Sequence, residues 1–116
     1  MTDPVAPDTL FARAKRHLHA QAYSEVQSLV KRLQALYQAQ SLAADTLLAQ
    51  AFNLYSESCW YTDSLDAALG AAQQALVISQ SLGPQGQVPL ANAYRNLGVI
   101  RELSHYPDTA LANYQK

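Results

Sequence analysis

Apolar residues recur along most of this chain at intervals of three and four, the spacing of one face of an α-helix. Over residues 8–19, Leu10, Phe11, Ala14 and Leu18 follow Asp8, a residue suited to an N-cap. The stretch HAQA at 19–22 interrupts the pattern. From Tyr23 to about Gln40, Val26, Leu29, Val30, Leu33, Leu36 and Tyr37 form one long stripe. Asp45 is placed to cap a third helix running to about Trp60, and YTDS at 61–64 reads as a turn. Leu65, Ala68, Leu69, Ala72, Ala75, Leu76 and Ser79 then form the stripe of a helix ending near Leu82. GPQGQVP at 83–89 has Gly after a helix and Pro before the next, the punctuation of a loop. A fifth helix is expected over about 89–103, SHYPD as a turn, and a sixth helix from Pro107 or Asp108. No alternating strand pattern occurs. The expectation is an all-α chain of six helices in three antiparallel pairs.

The same segment is written twice. Residues 48–74 and 90–116 align without a gap at an offset of forty-two. Leu48/Leu90, Ala49/Ala91, Ala51/Ala93, Asp66/Asp108, Ala68/Ala110, Leu69/Leu111 and Gln73/Gln115 are identical, and Phe52/Tyr94 is conservative. The offset applied backwards places Leu10 under Phe52 and Val26 under Ala68, which makes 6–47 a degenerate first copy. Arg13 there stands against Tyr55 and Leu97, as in an atypical capping repeat or a slipped register. A period of 20–50 residues implies a solenoid, whose stacked units build an extended concave surface rather than a catalytic cleft. The domain reading is a disordered lead at 1–7, then one domain over 8–116 with repeats at about 8–44, 45–86 and 87–116, the last cut in mid-helix. A cut helix pair would leave an apolar edge that invites self-association.

Composition narrows the picture further. The length suits one domain, and 49% apolar residues can build a core. A net charge of −1 gives no reason to expect a nucleic-acid or membrane surface. No apolar run reaches the ~18 residues of a membrane span. MTDPVAPDT is acidic and proline-containing, unlike a signal peptide. The single cysteine excludes an internal disulfide and agrees with a reducing, cytoplasmic location.

Tyr94, Leu97, Gly98, Ala110 and Tyr114, within ANAYRNLG…YPDTALANYQK, resemble the pattern of a tetratricopeptide (TPR) repeat. The middle copy carries Phe52, Tyr55, Ser56, Ala68 and Ala72 at those places, and the first carries Leu10, Arg13, Ala14, Val26 and Val30. The resemblance implies a right-handed superhelix. The residues support it physically: Ala14, Ser56 and Gly98 are small at one point of each first helix, and Val26, Ala68 and Ala110 are slim at one point of each second helix, as a close crossing requires. The period of forty-two exceeds the family's usual ~34, so the second helices are longer by about two turns. Such extended repeats resemble those that precede output domains in bacterial regulatory and signalling proteins.

In the family, the first helix of each pair lines a groove that holds a protein segment. The resemblance then implies groove positions at Phe11, Ala12, Lys15, Leu18 and His19, at Gln50, Asn53, Leu54, Glu57, Trp60 and Tyr61, and at Asn92, Arg95, Asn96, Val99 and Glu102. Asn and Gln can both donate to and accept from a peptide backbone. Arg95 could fork a carboxylate, and Trp60 and Tyr61 could be apolar anchors. The alternative is that the polar residues are ordinary solvated positions and that Trp60 packs beneath its turn. The Lys/Asn/Arg set by which some TPR domains grip a C-terminal carboxylate is incomplete here, with Phe11, Lys15, Leu54, Asn92 and Asn96 at those places.

Catalytic chemistry is not indicated. His17 and His19 point to different helix faces, and no HExxH, CxxC, phosphate loop or G-x-S-x-G turn occurs. Cys59 has no adjacent base, Asp63 and Asp66 read as helix-start residues, and RAKRH at 13–17 reads as a solvated face. No metal or cofactor is expected. The functional expectation is a non-catalytic module that binds a protein or peptide, as the N-terminal part of a larger regulatory protein. The alternative is a sensory or dimerising segment of a signalling enzyme such as a diguanylate cyclase or kinase.

Overall fold

The computed structural model describes residues 5–105. It contains α1 (Pro7–His19), α2 (Tyr23–Ala39), α3 (Thr46–Tyr61), α4 (Leu65–Ser81), a 3-10 turn over Gly83–Gly86, and α5 (Gln87–His105). There is no strand among the described residues. The sixth helix, and the repeat partners of Ala68 and Leu69 at Ala110 and Leu111, lie outside them.

The forty-two-residue period is present in the backbone itself. α4 begins and ends forty-two residues after α2, and α3 ends forty-two residues after α1. Left-handed residues recur at the same interval, Gln21 (φ 62°) with Asp63 (φ 61°), and Ser41 (φ 53°) with Gly83 (φ 62°). The hydrogen bonds repeat too. The Ala22 N–H donates to the His17 carbonyl at 2.8 Å, and the Ser64 N–H donates to the Cys59 carbonyl at 2.8 Å. Both are the six-to-one closure of a Schellman motif, which uses a left-handed residue to satisfy a carbonyl at a helix C-terminus. Leu42 closes α2 in the same way, its N–H meeting the Tyr37 carbonyl at 2.9 Å.

At the fourth turn the chemistry differs. Pro84 stands where Leu42 stood and has no N–H to donate. The chain instead passes through the 3-10 turn directly into α5, so the loop expected over 83–89 is helical from Gln87. Pro89 lies in the first turn of α5, where a missing N–H leaves no bond unmade. Gly86 is required there, because a Cβ would overlap the Ser79 carbonyl of α4.

The expected cap at Asp8 is corrected, and the helix-start reading of Asp63 and Asp66 holds for Asp66. Ala6 occupies the N-cap of α1 with Pro7 at the first position, and Asp8 sits in the first turn. Ser64 precedes α4 without a side-chain cap, Asp63 is the left-handed turn residue, and Asp66 is in the first turn. Asp45 does cap α3: its carboxylate accepts from the Leu48 N–H at 3.0 Å and from the Tyr37 hydroxyl at 2.7 Å. That second bond ties the end of α2 to the start of α3.

α3 is the centre of the packing and contacts each of the other four α-helices. One cluster joins α1, α2 and the first half of α3 through Leu10, Val26, Val30, Leu33 and Leu48. A second joins α3, α4 and α5 through Cys59, Trp60, Ala68, Ala72, Val99 and Leu103. The small crossing residues explain the close helix pairs. Ala14 and Val26 are buried where α1 meets α2, and Ser56 donates to the Ala68 carbonyl at 2.7 Å where α3 meets α4. A larger residue at Ser56 would push the two backbones apart.

Candidate functional site

The implied groove positions fall on α1, α3 and α5, and α3 contacts both of the others. Helical geometry sorts them into two sets. Asn53 and Trp60 on α3, and Asn96 and Val99 on α5, are turned into the α3–α5 junction and are buried. Gln50, Leu54, Glu57 and Tyr61 lie at intervals of four, three and four and are half-buried. Asn92 is half-buried, whereas Arg95, Glu102, Lys15, Ala12 and His19 are exposed.

A ladder of amides runs through the junction, from half-buried Gln50 and Asn92 to buried Asn53, Asn96 and Trp60. Gln50 Oε1 accepts from Asn92 Nδ2 and from Asn53 Nδ2, both at 3.1 Å. Asn53 Nδ2 also donates to the Pro89 carbonyl at 3.0 Å. Asn96 Nδ2 donates to Asn53 Oδ1 at 3.1 Å and to the Asn53 carbonyl at 3.3 Å. Trp60 Nε1 closes the ladder by donating to Asn96 Oδ1 at 3.1 Å. No buried side-chain nitrogen or oxygen among the described residues lacks a hydrogen bond. Asn53, Trp60, Asn96 and Val99 are therefore corrected from partner contacts to interhelical contacts. A polar residue reads as exposed from its type, but two facing asparagines can satisfy each other inside a junction. Trp60, only 1% exposed, presents no anchor to a partner.

The accessible set has its own arrangement. Arg95 Nη2 meets Glu57 Oε1 at 2.7 Å, with Arg95 half exposed. Tyr61 stacks on Tyr23 at 5.0 Å between ring centroids with 12° between planes, a contact that the sequence reading did not include. Burial first, and the Glu57 carboxylate second, push the phenols of Tyr23 and Tyr61 above their ordinary range. Lys15 Nζ lies 5.5 Å from the Phe11 ring centroid on α1, a weak cation–π contact at an exposed site. Chemically, this face offers amides at Gln50 and Asn92, a guanidinium at Arg95, a carboxylate at Glu57 and a partly open phenol at Tyr61.

A second concave feature was absent from the sequence reading. A cleft of about 350 Å³ runs between α2 and α4 over Phe52 and Tyr55, with Lys31, Gln34, Gly70 and Gln74 on its walls. It continues past Gln38, Leu42, Leu48 and Ile78. Phe52 packs against the core yet remains partly exposed, and its open edge floors the cleft.

No group of His, Cys, Asp and Glu among the described residues could hold a metal ion. Cys59 is buried, and desolvation raises its thiol pKa, so it is held as the neutral, unreactive thiol. No described helix is long and apolar enough to cross a membrane. No protein-family model matches the chain, and no curated protein or solved structure matches it either.

Proposed function

We propose that this chain is a TPR-like helical-repeat module, a right-handed α-solenoid that holds a peptide or helix of a protein partner and carries out no catalysis itself. The observation that carries this reading is the recurrence of helix bounds, left-handed residues and turn hydrogen bonds at forty-two residues. A chain built from equal units presents equivalent faces side by side, which suits recognition of an elongated partner. The contact surface is the accessible set on α1, α3 and α5, namely Lys15, Gln50, Leu54, Glu57, Tyr61, Asn92, Arg95 and Glu102. The module belongs to a larger cytoplasmic regulatory protein in this reading.

Site-specific photo-crosslinking in the source cells tests it. Crosslinkers at Leu54, Tyr61 and Arg95 should capture one common protein species, and crosslinkers at Gln73 or Gln80 on α4 should not. Equal capture from both groups, or none from the first, removes the face from consideration.

One observation favours the second reading, a dimerising segment of a signalling enzyme. Leu69 and Val77 on α4 and Val88 and Tyr94 on α5 are exposed apolar residues. That reading expects a concentration-dependent dimer in light scattering that Val77→Lys and Tyr94→Lys dissociate; a monomer at all concentrations argues against it.

A further inference from the structure

Tyr23 is the first residue of α2 and Tyr61 the last of α3. These two helices pack against each other, and the turn through left-handed Gln21 starts α2 beside the end of α3. The two phenol rings stack there, with centroids 5.0 Å apart and 12° between planes. Behind them lies Trp60, whose ring centroid is 4.2 Å from that of Tyr61. Three rings therefore run in contact from an indole that is 1% exposed to two half-buried phenols.

Packing alone does not call for phenols at this place. Forty-two residues on, the same two positions hold Leu65 and Leu103, and both belong to the apolar cluster of α3, α4 and α5. Desolvation first, and the Glu57 carboxylate second, raise both phenols, so each is a neutral hydroxyl at ordinary pH. A neutral phenol is oxidised by losing an electron together with its hydroxyl proton. The radical left behind carries part of its unpaired spin on the ring carbons ortho to oxygen. Two such rings already held in contact couple without the encounter that separate molecules need. The other tyrosines of the described helices stand differently. Tyr37 is buried with its hydroxyl on Asp45, and Tyr94 is 54% exposed on α5, open to collision with other molecules.

We propose that Tyr23 and Tyr61 form an oxidative cross-linking site, which a one-electron oxidant such as a haem peroxidase with hydrogen peroxide converts to a dityrosine. Each phenol gives up one electron and one proton. The peroxide takes up both pairs and leaves as two water molecules. The two radicals then join through one ortho carbon of each ring, and the hydrogens on those carbons move to the oxygens, which restores both phenols. The product ties the start of α2 to the end of α3. The single cysteine of the chain gives no intramolecular disulfide that could do the same. Closing the chain between residues 23 and 61 removes freedom from the unfolded state, and because the rings already touch, the folded state changes little. The assignment stands whether or not Tyr61 also meets a partner segment.

The test is oxidation of the dilute full chain with a haem peroxidase and limiting hydrogen peroxide, and in parallel with a small photo-generated one-electron oxidant that needs no access for an enzyme. The monomer is then isolated by gel filtration, digested and mapped by mass spectrometry. A monomer lighter by two hydrogen atoms is expected, with dityrosine fluorescence and one linked peptide pair that contains Tyr23 and Tyr61. Its thermal melt should lie above that of the untreated chain. Tyr23→Phe and Tyr61→Phe should each abolish this product while keeping the stacked rings and the helical circular dichroism, and Tyr94→Phe should leave it intact. Oxidation in urea should lower its yield severalfold, because the stack is lost. Linkage that maps to other tyrosines or to Trp60, dimers as the sole product, or no linkage with either oxidant overturns the site. A yield in urea equal to that of the folded chain overturns the role of the stack.

Discussion

Asn96 and Arg95 are neighbours on α5, both polar and both implied groove residues, yet their substitution by alanine should have very different consequences. Asn96 is 1% exposed and joins three partners: Trp60 Nε1, Asn53 Oδ1 and the Asn53 carbonyl. Its truncation removes the acceptor of the indole N–H and the donor to a buried amide oxygen. Each buried group that loses its partner costs about 1–3 kcal/mol. The two together, with a small cavity between α3 and α5, give about 3 kcal/mol for Asn96→Ala. Arg95 makes one ion pair in which it is half exposed, and such pairs contribute under about 1 kcal/mol. A loss of 3 kcal/mol is a large part of the stability of a small domain and should lower the melting temperature by roughly 10–20 °C. Urea unfolding followed by circular dichroism measures both variants, and a double-mutant cycle of Asn96→Ala with Trp60→Phe isolates the indole bond. The cycle should show about 1 kcal/mol of coupling. An Asn96→Ala cost below about 1 kcal/mol, or additivity in the cycle, would refute the ladder as a structural element. Loss of partner binding by Asn96→Ala would then have to be separated from unfolding, whereas Arg95→Ala reports on the surface alone.

Three further outcomes follow from particular positions. Gly86→Ala, which must displace the Ser79 carbonyl, should destabilise by about 2 kcal/mol, whereas Gly70→Ala, whose Cβ meets nothing within 4 Å in the middle of α4, should stabilise by about 0.5–1 kcal/mol; paired thermal melts compare them. Gln21→Gly should stabilise by about 0.5–1 kcal/mol by relieving a left-handed φ of 62°, while Gly substitution at exposed Gln73 of α4 should cost a similar amount; chemical denaturation of the two variants gives the signs. Burial and the Asp45 carboxylate push the Tyr37 phenol well above its ordinary value. Its contribution is therefore fully present below about pH 10, the unfolded value, and is lost as pH rises toward the folded one. Tyr37→Phe should lower neutral-pH stability by about 1 kcal/mol and flatten the alkaline loss, as read from melts between neutral pH and pH 11.

The helices were legible because each carries a local signal. Asp45, the apolar stripes and the Gly83–Pro84 punctuation act within a few residues, so the observed bounds differ from the expected ones by only a few positions. The turns were less legible. Gln21, Ser41 and Asp63 adopt a conformation normally given to glycine; aspartate tolerates it better than most residues, but nothing in the residue type of Gln21 or Ser41 announces it. Only the repeat makes sense of them, since the first and second copies close with the same bond. The 3-10 entry into α5 also depends on distance, because it is the approach of Gly86 to the Ser79 carbonyl that demands glycine there.

The site divides along the same line. The sequence by itself determined an all-helical chain and a period of forty-two residues, because both arise from spacing along one dimension. It also marked α1, α3 and α5 as the helices bearing the implied groove positions. Which side of each helix faces solvent was decided only by tertiary packing. On a helix, adjacent faces are separated by about 100° per residue, so Asn53 and Leu54, or Arg95 and Asn96, part ways at one step. Asn96 turned inward because Asn53 and Trp60 were there to satisfy it. Arg95 stayed out because a guanidinium is costly to desolvate and Glu57 lay within reach at the rim.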